Sequence, residues 1–202
     1  MTIRVSGVAL VLVVGVAALA AQSPQLPKSQ IPDLGRPTRP DDPLPTLDFD
    51  RYFTGRWTFE WDIPESPFGP AGTMTGTEVY ARGNGDGSFV SDYEGESPGG
   101  RFKGHAVIRY NREAKTIDRE ETDSRGFSIR YAGKVGGDLG GAFTIYEDSA
   151  PFTYKGQQLR LKLTKTMTSP LFFRVRAQIS VDGGPFTNLG NPWWKKEVPT
   201  KN

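Results

Sequence analysis

His105 is the one histidine in the chain, and acid–base chemistry would have to begin with it. A Ser-His-Asp triad needs a histidine as its base, but the G-x-S-x-G elbow that presents a hydrolase serine is missing. Asp92 or Glu94 would serve as its partner only if the fold brought one within hydrogen-bond reach. Alternation along its own segment puts His105 beside Lys103 and Arg109 on a polar face, as an exposed histidine on a sheet wall. A metal site wants several converging nitrogen or carboxylate ligands, and the surroundings of His105 match no haem-ligand context. The acidic run Asp118, Glu120, Glu121 and Asp123 lacks the Asp-x-Asp-x-Asp-Gly spacing of a calcium loop. Alternation places Asp118 and Glu120 on one face and Glu121 and Asp123 on the other. The run reads as a solvated face opposite Arg130 of the following strand. Arg160/Lys162 and Arg174/Arg176 form two basic rows on neighbouring strands, read as exterior surface ahead of an anion-binding patch. No glycine-rich string is followed by a helix pattern, so no phosphate cradle is expected. No catalytic residue, metal ligand or cofactor is assigned.

The aromatic residues are the stronger functional clue. Trp57, Phe59, Trp61, Phe89, Tyr93, Phe127, Tyr131, Phe143 and Phe173 all fall at core-face positions of their segments, as does Ile108. In a small barrel such residues either fill the interior or line a ligand cavity. Trp57, Phe59, Trp61, Phe89, Tyr93, Ile108, Phe127, Tyr131 and Phe173 are the candidate ligand-binding lining.

The elements that must position these residues read as strands from about Asp48 onward, with no convincing amphipathic helix. Trp57, Phe59 and Trp61 alternate with Thr58, Glu60 and Asp62. Phe127, Ile129 and Tyr131 alternate with Ser128 and Arg130, and Leu159, Leu161 and Leu163 with Arg160, Lys162 and Thr164. Phe173, Val175, Ala177, Ile179 and Val181 alternate with Arg174, Arg176, Gln178 and Ser180. Gly83-Asn84-Gly85-Asp86-Gly87, Gly136-Gly137-Asp138 and Asp182-Gly183-Gly184 supply the positive φ of tight turns. About nine or ten short-looped strands with one apolar face bury that face by closing on themselves. The expected fold is an all-β, antiparallel, up-and-down barrel.

Outside this domain the chain reads as targeting sequence and tether. Arg4, an uncharged run from Val5 to Leu19, and Ala18-Leu19-Ala20 form a signal peptide over residues 1–20, with cleavage before Ala21. The competing reading is a retained anchor, but the apolar run is short and lacks a stop-transfer flank. Residues 21–47 carry Pro24, Pro27, Pro32, Pro37, Pro40, Pro43 and Pro45, which suits a disordered, partly polyproline-II linker. The barrel domain then spans 48–198. The chain is expected to be exported, to a periplasm or the cell exterior, with no stable membrane span after cleavage. The absence of cysteine excludes disulfides and Cys-ligated metals. A formal net charge of +2 argues neither for nucleic acid nor for an anionic membrane surface, and no nucleic-acid partner is expected.

The domain opens with Phe53-Thr54-Gly55-Arg56-Trp57, which is similar to the Gly-x-Trp first strand of lipocalins and other calycin barrels. Tyr93-Glu94-Gly95-Glu96, Gly99-Gly100-x-Phe102-x-Gly104, Tyr110-Asn111, Lys115, Asp123-Ser124 and Tyr131-x-Gly133 follow in order. Over roughly Asp48 to Glu197 this series resembles a group of bacterial lipocalin-like domains of no agreed activity, several of them exported. The resemblance implies a calycin-type barrel with Trp57 inside the closed end, covered by Lys195 or Lys196. Asn111 stands where such domains usually carry Asp, and Gly190-Asn191-Pro192 interrupts the last strand. Two functions follow as expectations. One is non-catalytic binding of a small apolar or amphipathic molecule. The other is a filled barrel working as a structural or interaction module of the cell envelope, through an exposed patch such as Pro192-Trp193-Trp194.

Overall fold

A computed structural model describes residues 43–198. The proposed signal peptide, and the linker as far as residue 42, lie outside the described residues. Twelve antiparallel strands follow a one-turn helix, α1 (Phe49–Tyr52). They are β1 (Gly55–Ile63), β2 (Gly72–Arg82), β3 (Ser88–Ser97), β4 (Gly100–Asn111), β5 (Thr116–Asp123) and β6 (Phe127–Gly137). They continue as β7 (Phe143–Ser149), β8 (Phe152–Tyr154), β9 (Gln157–Ser169), β10 (Phe172–Val181), β11 (Thr187–Gly190) and β12 (Trp193–Lys196).

Each strand from β1 to β6 pairs with its successor, β7 pairs with β9, and β9 with β10. The ring closes through β12, which pairs with β10 on one side and β1 on the other. Ten strands form the closed barrel, and β8 and β11 are short additions on β9 and β10. The interruption at Pro192 therefore divides the last strand without opening the barrel. Proline lacks a donor, but its carbonyl still accepts from the Val175 N–H at 2.8 Å.

The sequence reading anticipated no helix, yet α1 has a definite task. Asp48 caps it, with Oδ1 accepting from the Arg51 N–H at 3.1 Å. Phe49 and Phe53, buried on either side of the turn, enter one end of the barrel together with Leu47. Phe49 packs on Phe89 at 4.2 Å between ring centroids, and Phe53 lies 5.5 Å from Phe173. Trp57 is fully buried against this plug, donating from Nε1 to the Phe53 carbonyl at 2.7 Å. Lys196, not Lys195, covers its ring, with Nζ 5.1 Å from the centroid. The register pairs Trp57 with Lys196, so the two share a face.

Three inward glycines admit aromatic rings from adjacent strands. A Cβ on Gly76 would lie 2.6 Å from Phe59 Cζ, one on Gly95 2.9 Å from Phe102 Cζ, and one on Gly104 2.1 Å from Tyr93 Cζ. The rings lie over the bare backbone of the neighbouring strand.

Candidate functional site

Two apolar clusters fill the barrel. The first surrounds the plug and includes Trp57, Tyr80, Phe89, Ile108, Ile117, Val135, Ile145, Met167 and Phe173. The second lies toward the opposite end and includes Phe59, Ile63, Met74, Phe102, Phe127, Ile129, Tyr131, Leu161 and Ala177. Period-two alternation carries the strands from one cluster to the other, and on several of them the intervening inward position is polar. Glu78 lies between Met74 and Tyr80, Arg119 two residues beyond Ile117, Glu147 two beyond Ile145, and Lys165 two before Met167.

These groups form a connected ionic layer. Glu147, 2 % exposed, accepts from Arg119 Nε at 3.0 Å through Oε1, and its Oε2 lies 2.9 Å from Lys165 Nζ. Arg119 Nη1 donates to Glu121 Oε2, and the guanidinium rests 4.0 Å above the Tyr131 ring. The Tyr93 hydroxyl shares its hydrogen between Glu121 Oε1 at 2.8 Å and Asp123 Oδ2 at 2.9 Å. Asp123 in turn takes a two-pronged contact from Arg125, at 2.8 and 2.7 Å. Arg125 also lies over the rings of Phe102 and Phe127, at 4.5 and 5.1 Å. The chain of contacts runs from Lys165 in the depth to Arg125 near the far end.

Burial alone would raise the Glu147 carboxyl; Arg119 and then Lys165 outweigh it and hold it at about 2. Glu78 behaves in the opposite way. Burial pushes its carboxyl above the usual range, and the opposing pull of Lys165 does not overcome that. One Glu78 oxygen accepts from Trp194 Nε1 at 2.9 Å. Burial, then the charges of Glu121 and Asp123, push the Tyr93 hydroxyl far up, so it stays a donor.

Between the ionic layer and the second apolar cluster lies a cavity of about 130 Å³. Phe59, Trp61, Tyr93, Phe127, Tyr131 and Phe173 of the sequence-predicted lining border it. Trp57, Phe89 and Ile108 do not, because the plug cluster occupies them. The β1–β2 loop brings Phe68 to the cavity, where it packs on Phe127 at 5.4 Å and stacks on Tyr154 at 5.7 Å. Arg119 Nη2 is buried and has no hydrogen-bond partner among the described residues.

The solvated-face reading of the acidic run holds for Glu120, which faces outward with Arg130 Nε at 3.8 Å. It fails for Glu121 and Asp123, which enter the lumen because Arg119, Arg125 and Tyr93 are there to receive them. Arg119, Arg125, Glu147, Lys165 and Glu78 were missed as site residues. A signal did exist for Lys165. It continues the apolar alternation Leu159, Leu161, Leu163 and precedes Met167, so the period places a cation on the buried face.

His105 and Asp92 do meet, with Nδ1 2.8 Å from Oδ1, but on the outer wall; His105 is 47 % exposed there. The basic rows also face outward, with Arg160 and Lys162 over the Phe186 ring at 5.7 and 4.5 Å. Register sets Arg174 and Arg176 opposite Thr166 and Thr164, so like charges are not directly opposed. Of Pro192-Trp193-Trp194 only Trp193 faces out, stacked on Phe172 at 6.3 Å. Pro192 and Trp194 border the cavity. Among the described residues no group of His, Cys, Asp and Glu converges as a metal site, and no helix is long and apolar enough to cross a membrane.

Fold and site together define a closed ten-stranded antiparallel β-barrel with a plugged end and an ionic layer beneath a small aromatic cavity. The crystal structure of Rv2717c from M. tuberculosis has a similar fold, with a TM-score of 0.59 and 10 % sequence identity over 72 % of this chain and 93 % of that one. No protein-family model matches the chain. No curated protein matches it.

Proposed function

We propose that this chain is a non-catalytic binding barrel of lipocalin-like kind that holds one small apolar or amphipathic molecule in its lumen. The observation that carries the reading is the cavity of about 130 Å³, walled by aromatic rings and bordered by Arg119, whose Nη2 is buried with no partner among the described residues. Binding pockets combine apolar walls with a few placed polar groups in this way. The volume suits a body of about one aromatic ring, since an apolar cavity of roughly 150 Å³ accepts benzene. We also propose that the protein is exported, on the strength of residues 1–20.

A specific observation favours a second reading. Phe172 and Trp193 stack on the outer wall, and Leu171 beside them is 48 % exposed, which suits a surface that meets another molecule. Native mass spectrometry of the mature protein from an exported fraction, without detergent, separates the two. A reproducible adduct lost on denaturation supports the carrier. A clean apo mass, with no gain in melting temperature across a panel of small hydrophobic molecules, removes it and leaves the outer surface as the working site.

A further inference from the structure

We infer that the lumen selects a ligand of single-ring size whose polar end is an uncharged hydrogen-bond acceptor, such as a carbonyl oxygen, placed against Arg119 Nη2. This rests on the lumenal binding proposed above and names the chemistry of its ligand.

The charges in the layer are already matched. Arg125 is held by Asp123, Arg119 by Glu121 and Glu147, and Lys165 by Glu147, which sets three cations against three carboxylates. Glu78 is a fourth carboxyl, also inside the lumen, and burial drives it toward its neutral form. A ligand carboxylate would add a negative charge with no free cation to meet it, in a setting where an uncompensated charge is costly. A ligand cation would have to take a carboxylate from Arg119, Arg125 or Lys165, or hold Glu78 ionised against the burial that favours its neutral form.

What the layer lacks is one acceptor. Arg119 Nε and Nη1 are committed to carboxylates, and Tyr131 covers a face of the guanidinium. Nη2 is the donor left over, buried where Arg119 borders the cavity. A neutral oxygen satisfies it without disturbing the charge balance. Phe59, Met74, Phe102, Ile129 and Leu161 then surround the rest of the molecule with carbon.

Three probes of nearly equal size test this on the purified chain by calorimetry and by NMR of the arginine side-chain N–H groups: acetophenone, benzoate and ethylbenzene. The expected result is that acetophenone binds roughly tenfold more tightly than either of the others, as suits one hydrogen bond from a charged donor. It should also shift the Arg119 Nη resonances. In Arg119→Lys the preference of acetophenone over ethylbenzene should disappear. If that variant does not fold, the three wild-type affinities and the Arg119 signal decide alone. Benzoate binding most tightly would make the lumen an anion site and overturn the inference. Equal binding of acetophenone and ethylbenzene would also overturn it, while leaving an apolar lumenal carrier intact. Failure of all three to bind would remove the inference together with the lumenal reading beneath it.

Discussion

Tyr93 on β3 places its hydroxyl 2.9 Å from Asp123 on β5, although β4 runs between the two strands. The register puts Gly104 of β4 directly between them, paired with Tyr93 on one side and Asp123 on the other. With no side chain at Gly104, the phenol ring crosses the strand and reaches both lumenal carboxylates of β5. A motif glycine, an aromatic and an acid are thus a single device for holding carboxylates inside the barrel.

Gly104→Ala should therefore act at a distance. The new Cβ would stand 2.1 Å from Tyr93 Cζ, so the ring must lift and give up Glu121 and Asp123. The expected cost is about 2 kcal/mol, combining overpacking and a lost hydrogen-bond pair. Urea denaturation should show a lower midpoint with an unchanged slope, and Tyr93→Phe should cost less than the glycine change.

Glu147→Gln should be the most damaging isosteric change in the lumen. It leaves Lys165 without its carboxylate and Arg119 with Glu121 alone, and breaking a buried pair in this way costs about 3 kcal/mol. The folded carboxyl sits at about 2 against an ordinary 4.5. Its contribution is therefore complete above about pH 4.5 and is lost as pH falls through 4.5 toward 2. The variant should show a flatter acid limb than wild type when melting temperature is followed over that window.

Glu78→Gln should have the opposite sign. A carboxyl raised by burial favours the folded state most below its unfolded value near 4.5, and that advantage is lost as pH rises through the folded value. Glutamine keeps an acceptor for Trp194 Nε1 and removes the ionisation. At pH 7 the variant should be at least as stable as wild type, and its stability should fall less as pH rises above about 4.5. A steeper decline than wild type would refute the assignment.

Phe68 covers one end of the cavity from the β1–β2 loop, stacked on Tyr154. Phe68→Ala should raise the dissociation rate of acetophenone by roughly an order of magnitude, with the association rate changing much less. The stability cost should stay at about 1–2 kcal/mol, because the side chain is only partly buried. Line-shape analysis of the bound probe reads the rate directly.

The His105–Asp92 pair on the outer wall should contribute little. His105→Ala should change stability by less than about 0.5 kcal/mol, as expected for an exposed pair. Acetophenone affinity should be unchanged; a loss would move the ligand to the outside of the barrel.

Much of this protein was legible from residue order. Period-two alternation, the glycine turns and the Gly55-x-Trp57 start point to a closed antiparallel barrel, and the same period sorts Phe59, Tyr93, Phe127 and Tyr131 onto its inner face. Alternation assigns a residue to a face, however, and says nothing of what it meets there. Glu121, Asp123, Glu147 and Lys165 are charged, and local pattern reads a charge as wet. They are buried because partners from β3, β5, β7 and β9 converge across the lumen, and strands that distant in the chain share a space only once the ring closes. The helix α1 escaped for a related reason: one turn has no periodicity to detect, and Phe49 and Phe53 are stable there only because a barrel end is open to receive them. Sequence alone determined the wall of this protein. The tertiary structure decided what the wall encloses, since a buried charge becomes tolerable only where its counter-charge is already in place.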